Sequence, residues 1–520
     1  MQGGIYILAR IWFSVAVGEK SYRPWEPRQP YLLPPSPLEW LPAKHLAYFV
    51  LDVMEQMNLG EIEDEVQGKD HRGERPYAIG MMTGLLVYGY SVGVFSSRRI
   101  TRATHEDVAF RVISGGQHPH FTTINQFRLE HGEALGRLFV EALRLCQEAG
   151  LVKLGAVALD GAKIKAAASK HKAMSYKRMN EEEKRLQEQV AELLRRADEV
   201  DREEDELYGP GQDREDLPAE LARRETRLQR LREAKAALEK EAAEGRAEEL
   251  REQAQRQRVK SEDESLPDHE RKRARTRSAK AKKQADALAP EKNSKEKKDI
   301  EQPELPLHRV ASEVDGKPKA AAQRNFTDPE SCIMVKDGAY IQAYNAQIVV
   351  DEANQIIIAH GVSNQPPDQE YLVPMVERML RMPVQRPEAL LADSGYFSAD
   401  NVQTVQERGI DPYIAVGREG KEGAAAPGGS AGQQGPKTLM REKLKKDVGK
   451  AVYARRKVIV EPVFGQIEQA RGFRRFSQRG RVKVRREWAF VCLTHNLLKL
   501  FRHRLTEGPE NAPPELPCLA

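Results

Sequence analysis

The sequence predicts an α/β fold in which a mixed sheet is interrupted by a charged helical insertion and preceded by an all-α domain. Three observations predict it. Apolar residues recur at helical spacing from about Pro42 to Gly150; short apolar runs at Val157–Leu159 and Leu390–Ala392 each lead into an aspartate; and between Glu181 and Lys260, 42 of 80 residues are charged. At 520 residues the chain is long enough for two to four domains, each burying its own core.

The opening "GGIYILARIWFSVAVGEK" is apolar for about fifteen residues, short for a bilayer span, broken by Arg10 and without a basic leader. Residues 1–21 therefore read as a non-native or disordered extension, with the working chain beginning near "SYRPWEPRQPYLLPP". Residues 22–150 read as a helical N-terminal domain. "AIGMMTGLLVYGYSVGVFSSRRITRATHEDVAFRVISGG" gives two or three helices, and "HFTTINQFRLEHGEALGRLFVEALRLCQEAG" two more, ending at Gly150. Thr122 and Thr123 are N-cap candidates for a helix carrying Asn125, Gln126 and Arg128. A helix-turn-helix presents such a helix to the major groove, and an ordinary bundle also contains such helices.

"GAVALDGAKIKAAASKH" places Val157, Ala158 and Leu159 in a buried strand that Gly161 ends, leaving Asp160 at its mouth. Asp-Gly alone is equally a hairpin turn. Residues 181–260 read as a charged helical hairpin broken near "YGPGQDREDLP", either a spacer or an arm for dimerisation or for spanning DNA. Residues 261–323, with "RKRARTRSAKAKKQ", read as a flexible linker, disordered or loosely helical. From Arg324 the sheet domain begun at 151–180 resumes and runs to Leu505. "YIQAYNAQIVVD" and "QIIIAHGVS" form a hairpin, "QEYLVPMVERMLRM" a helix, "EALLADSGYFS" a strand ending at Asp393, "ADNVQTVQERG" a helix and "DPYIAV" a strand. After a Gly-rich stretch, "REKLKKDVGKAVYARRKVIVEPVFGQIEQARGF" is helical with a kink before Pro462, and "REWAFVCLTHNLLKLFRHRL" is a terminal helix. Residues 506–520 read as a disordered tail.

The formal net charge is only +5, but residues 441–505 hold 19 Lys and Arg against 5 Asp and Glu. That local excess suits phosphates, and Phe473, Phe476 and Trp488 interleave with its arginines as on nucleic-acid surfaces. Cys146, Cys332, Cys492 and Cys518 lie far apart, which argues for a reducing compartment and against a disulfide framework or a thiolate metal site.

A strand ending in Asp160, two strands, a helix, a strand ending in Asp393 and a helix containing Glu461 follow the order of a ribonuclease-H-like fold. Such a sheet gathers acids that lie 233 and 68 positions apart. Three carboxylates within a few ångströms repel by roughly 4 kcal/mol per pair at 4 Å, so they imply a cation. Hard oxygen ligands favour Mg2+ or Mn2+, and two such ions can activate a water or a DNA 3'-hydroxyl and stabilise the leaving oxygen. Asp328, Asp337 and Asp351 read as turn or cap residues, and His495 as structural. Lys163 and Lys165, near Asp160, are candidates for phosphate.

"VALDGAKIKAAASKHKAMSY", "LLADSGYFS" and "YARRKVIVEPVFGQIEQARGFRRF" resemble the three acidic motifs of DDE transposases from bacterial insertion sequences. "YRPWEPRQPYLLPPSPLEWLP", "LLVYGYSVGVFSSRRI" and "DVAFRVISGGQHPHFTTINQFR" resemble their N-terminal helical domain. The resemblance covers about Tyr22 to Leu505. It implies Asp160, Asp393 and Glu461 as catalytic metal ligands for two Mg2+ ions, or Mn2+. It also implies double-stranded DNA, both element ends and target, as partner, with a homodimer or higher oligomer on DNA, no membrane, and a place in the bacterial cytoplasm at the nucleoid. Tyr453 and Arg456 match the first two positions of the family's Tyr-Arg-Glu-Lys signature. The spacing from Arg456 to Glu461 is one residue longer than the commonest, and Glu468 stands where lysine is usual. Lys457, Arg471 or Arg474, with Arg475 beside them, would then supply phosphate contact, and a salt bridge to an arginine is the default for Glu468. Two rival readings are a nuclease of the same fold without strand transfer, and a DNA-binding regulator with a degraded site.

Overall fold

The computed structural model describes residues 39–67, 76–208, 219–289, 303–417 and 435–506. The expectations for residues 1–21, for Cys518 and for the tail after 506 fall outside them. Seven helices come first: α1 (Leu46–Gln56), α2 (Gly60–Gln67), α3 (Ile79–Ser91), α4 (Ser97–Glu106), α5 (Val108–Ile113), α6 (Phe121–Glu130) and α7 (Gly132–Glu148). The N-cap of α6 is His120, whose imidazole accepts from Thr122 N–H, so the expected Thr122 and Thr123 caps are corrected.

The sheet is built from β1 (Ala156–Lys165), β4 (Cys332–Lys336), β5 (Ala339–Asp351), β6 (Ile357–Ser363), β7 (Ala389–Ala392) and β8 (Asp411–Ile414). β5 pairs antiparallel with β1 on one side, and with β4 and then β6 along the other; β1, β7 and β8 run parallel. The order β6-β5-β1-β7-β8 is the mixed sheet of a ribonuclease-H-like domain. β5 and β6 are buried nearly throughout and read as apolar runs, whereas β7 and β8 are only four residues each. α11 (Leu372–Leu380) and α12 (Ala399–Glu407) connect the later strands, and α13 (Pro436–Lys445), α14 (Asp447–Gly465) and α15 (Arg481–Thr506) complete the domain.

β1 does not stop at Gly161. Its parallel pairing with β7 ends at Leu159 while its antiparallel pairing with β5 continues to Lys165, so Asp160 lies inside the strand, at the end of the parallel portion. The kink expected before Pro462 is also displaced. The break falls at Lys446, between α13 and α14, and Pro462 lies within α14, which passes into a π-turn at Gln466–Ala470.

One hydrophobic core runs from α1 through the sheet to α15. α15 packs on α3, α7 and β6, so the N-terminal helices share their interior with the sheet. Trp488 is fully buried in this core, packed against Phe464, Phe473 and Phe476 and donating Nε1–H to the Gln347 carbonyl at 3.2 Å. Phe473, Phe476 and Trp488 are at most 1% exposed, which corrects their expected role at a nucleic-acid surface. Burying three such rings removes a large apolar area from water and so holds them in the core.

Between β1 and β4 lie a small sheet, β2 (Ala173–Ser175) with β3 (Gln323–Asn325), and three long helices, α8 (Tyr176–Tyr208), α9 (Ala219–Glu262) and α10 (Asp268–Leu288). α8 covers the first half of α9 through Met179, Leu186, Leu228, Leu231 and Leu238. α10 covers the second half through Ala281 and Ala285 against Ala247, Leu250 and Ala254, and so replaces part of the expected flexible linker with a packed helix. Tyr176 to Glu239 and Arg324 to Glu241 tie the base of this arm together.

Candidate active site

Asp160 and Asp393 follow directly on Leu159 and Ala392, the last register pair between parallel neighbours, and strands so paired lie about 4.8 Å apart. Sheet register thus sets two carboxylates side by side. Asp393 caps a one-turn helix, Ser394–Tyr396, its Oδ1 accepting from Gly395 N–H at 2.8 Å. Asp160 Oδ1 accepts from Gly161 N–H at 2.8 Å, and Oδ2 from the Arg456 guanidinium at 2.9 Å. Burial pushes the Asp160 carboxyl up from 3.8 to about 6, opposed by Arg456 and Gly161 N–H and reinforced by the negative charges of Asp393 and Asp368.

Asp368 is a residue that the sequence reading missed. It accepts from Lys163 Nζ at 2.9 and 3.0 Å, from Asn345 Nδ2 at 2.7 Å and from Gln347 Nε2 at 3.1 Å, while Gln347 Oε1 accepts from the buried Tyr396 hydroxyl. Lys163, expected free for phosphate, is paired here with a carboxylate. The available signal lay in β5: Asn345 and Gln347, two positions apart on one face of an otherwise apolar run, are fully buried polar residues that require partners. Gly161 makes room for them, because a Cβ there would strike Gln347 Nε2 and lie 3.0 Å from Asn345 Oδ1.

Glu461 does not join the pair. α14 turns Arg456, Ile459, Val460 and Val463 inward, and Glu461, five residues after Arg456 and hence about 140° around the helix, is exposed. Among the described residues no three carboxylate, imidazole or thiol side chains stand close enough to hold a metal ion. The Asp160–Asp393 pair nevertheless fits a divalent cation. It offers hard oxygens, one of them on a carboxyl that burial and like charge destabilise when ionised.

The remaining basic residues separate by burial. Arg471 is buried, donating to Thr494 Oγ1 at 2.8 Å and to the Val491 carbonyl, and burial pulls its guanidinium down to about 10. Its expected contact with phosphate is corrected to a role inside the core. Arg456 is bonded to Asp160, and Tyr453 lies beside it. Arg128 donates to Tyr90, to the Phe95 carbonyl and to Asn125, anchoring α6 to α3. Lys165, Lys457, Arg474 and Arg475 are exposed, with Arg474 donating to the Glu468 backbone carbonyl and to Gln469 Oε1. Glu468 pairs with Lys336 at 2.6 Å, a lysine in place of the expected arginine. His495 is buried with Nε2–H on the Gln355 carbonyl, as the structural reading expects.

A polar cleft separates α4 and α6 from the loop after Phe473, and Ser97, Arg98, Asn125, Gln126, Arg475 and Arg479 line it. The loop is stitched to the end of β1, with Phe476 N–H on the Lys165 carbonyl and the Arg479 guanidinium on the Ala167 carbonyl. Lys165 and Arg475 are thereby neighbours.

Comparison with protein families adds two findings. Residues 314–497 match the family described as Transposase DDE domain, and residues 36–130 match the Transposase domain (DUF772). The first match contains Asp393 and Glu461 and begins after β1, so Asp160 lies outside it and is placed by sheet register alone. Neither a curated protein nor a solved structure matches the chain. No helix among the described residues is long and apolar enough to cross a membrane. With a transposase domain over its N-terminal helices and a DDE domain over its mixed sheet, the chain belongs to the DDE transposases of insertion sequences, metal-dependent enzymes of DNA phosphoryl transfer.

Proposed function

We propose that this transposase binds the terminal inverted repeats of its own element, cuts phosphodiester bonds there and joins the freed ends to target DNA. The observation that carries the reading is the Asp160–Asp393 pair at the end of the parallel register, where buried like charge calls for a cation. Asp160, Asp393 and Glu461 would hold two divalent ions, Mg2+ or Mn2+, which when bound supply charge stabilisation at the attacking and leaving oxygens. Arg456 keeps Asp160 ionised, and Asp368 holds Lys163 beside the pair. Glu461 reaches the aspartates only if α14 turns. Pro462 and the adjoining π-turn, which weaken the helical ladder at that point, support such an adjustment.

The cleft between α6 and the Arg475–Arg479 loop receives the element end, with Arg475, its neighbour Lys165 and Arg474 on phosphates, while Lys457 and Tyr453 meet the DNA from α14, the helix that carries Glu461. The protein works as a homodimer or larger assembly on DNA, in the bacterial cytoplasm at the nucleoid. The test replaces Asp160, Asp393 and Glu461 singly by Ala. Each variant should lose cleavage of DNA carrying the element ends and keep end binding in gel shift. A variant that cuts at the wild-type rate removes that residue from the triad. Cleavage by the wild-type chain without joining would select a nuclease instead.

A further inference from the structure

The three helices of the arm treat charge in two different ways. On α8 and α9, many basic side chains are neutralised locally, although Arg223, Arg230, Lys240 and Lys260 form no ion pair among the described residues: Arg227 pairs with Glu182, Arg232 and Lys235 with Glu183, Arg246 with Glu249 and Arg258 with Glu262. On α10, Lys272, Arg273, Arg275, Arg277, Lys280, Lys282 and Lys283 are all exposed, and none forms an ion pair among the described residues. Arg271 alone pairs, with Asp268.

The opposite face fixes the rotation of α10. Ala274, Ala281 and Ala285 are buried, and Ser278 donates to the Ala254 carbonyl at 2.8 Å, so small side chains bring α10 close against α9 and turn the cations outward. Within this run Arg273 and Arg277 are spaced i,i+4, while Lys272 and Arg275, Arg277 and Lys280, and Lys280 and Lys283 are spaced i,i+3. Like charges at these spacings oppose the helix. A merely solvated face would mix signs, as α8 and α9 do. The exposed positions among the cations, Thr276 and Ala279, and just beyond them, Gln284 and Ala287, offer no large apolar side chain to a membrane. Twelve helical residues span about 17 Å, the length of about five phosphates along one DNA strand.

We propose that α10 is a second DNA-binding face, which grips the duplex backbone without regard to sequence and is separate from the aspartate pair and from the cleft beside α6. It does not depend on the triad assignment. The test uses the full chain in which all seven residues are replaced together: Lys272→Gln, Arg273→Gln, Arg275→Gln, Arg277→Gln, Lys280→Gln, Lys282→Gln and Lys283→Gln. Affinity for a random-sequence 40-base-pair duplex is measured between 50 and 200 mM salt. The slope of log affinity against log salt should fall by about 3 to 6, at about 0.9 for each phosphate that the variant no longer neutralises, with circular dichroism unchanged. A companion variant, Lys272→Arg, Lys280→Arg, Lys282→Arg and Lys283→Arg, should keep the wild-type slope. An unchanged slope in the glutamine variant overturns the proposal, as does a loss of slope in the arginine variant. Element-end binding is measured alongside. Its retention by the glutamine variant while random-duplex binding falls supports a separate face, and equal loss of both overturns that separation.

Discussion

Asp160→Asn tests the electrostatic reading of the site most directly. The carboxyl rises from 3.8 to about 6 on folding, so ionised Asp160 costs the metal-free fold about 3 kcal/mol above pH 6, at about 1.4 kcal/mol per pH unit. A carboxyl raised in the folded state favours folding while it holds its proton, and that advantage is lost as pH rises through 6. Asparagine has nearly the same shape and no charge to desolvate. The rise to about 6 already includes the attraction of Arg456, so, discounted for the partial exposure of Asp160, about 1 to 2 kcal/mol of net stabilisation is expected at pH 7.5. At pH 5 the folded carboxyl holds its proton while the unfolded one is ionised, so the gain should fall to about half, and it should vanish only below 3.8. Urea unfolding in EDTA at the two pH values measures it. Added Mg2+ should then stabilise the wild-type chain by binding its folded state and leave the variant unmoved. Equal destabilisation of the variant at both pH values, with no response of the wild type to Mg2+, would refute the argument.

Gly161→Ala should push Gln347 from Asp368 and Tyr396, destabilise the fold by about 1 to 3 kcal/mol and lower cleavage more than end binding; unchanged cleavage and stability would show that the neighbours yield freely. His360 and His495 are held neutral by burial, each pulled down to about 3. Their unfolded forms take up protons below 6.5 while the folded forms do not. Stability should therefore decline as pH falls, by about 2 kcal/mol per histidine at pH 5. His360→Leu and His495→Gln should each flatten urea midpoints between pH 5 and 7, and a slope identical to wild type would show that the rings titrate normally.

The strands were legible because β5 and β6 combine apolar runs with a short turn, and Asp160 and Asp393 were legible because each follows such a run. The reading failed where one pattern serves two purposes. Phe473, Phe476 and Trp488 are interspersed with arginines along the chain, but the fold turns the rings inward: Phe473 and Phe476 lie in an irregular loop, where periodicity carries no facing information, and Trp488 lies in the buried stretch of α15. α10 passed for a linker because alanines, which add little hydropathy, form its seam with α9. Arg471 was indistinguishable by composition from Arg474, yet one is buried and the other exposed. Asp368 belongs to a loop without regular pattern, and only the demand of Asn345 and Gln347 for partners pointed to it.

α15 is clasped by α7 and α3 from the N-terminal helices and by β6 from the sheet, and its tryptophan bonds to the strand that underlies the aspartates. It acts as a rigid ruler. If the cleft beside α6 receives the element end as proposed, a duplex there cannot swivel independently of the carboxylates, the interval from recognised sequence to broken bond is set by packed side chains, and shaving Trp488 would blur where the cut falls.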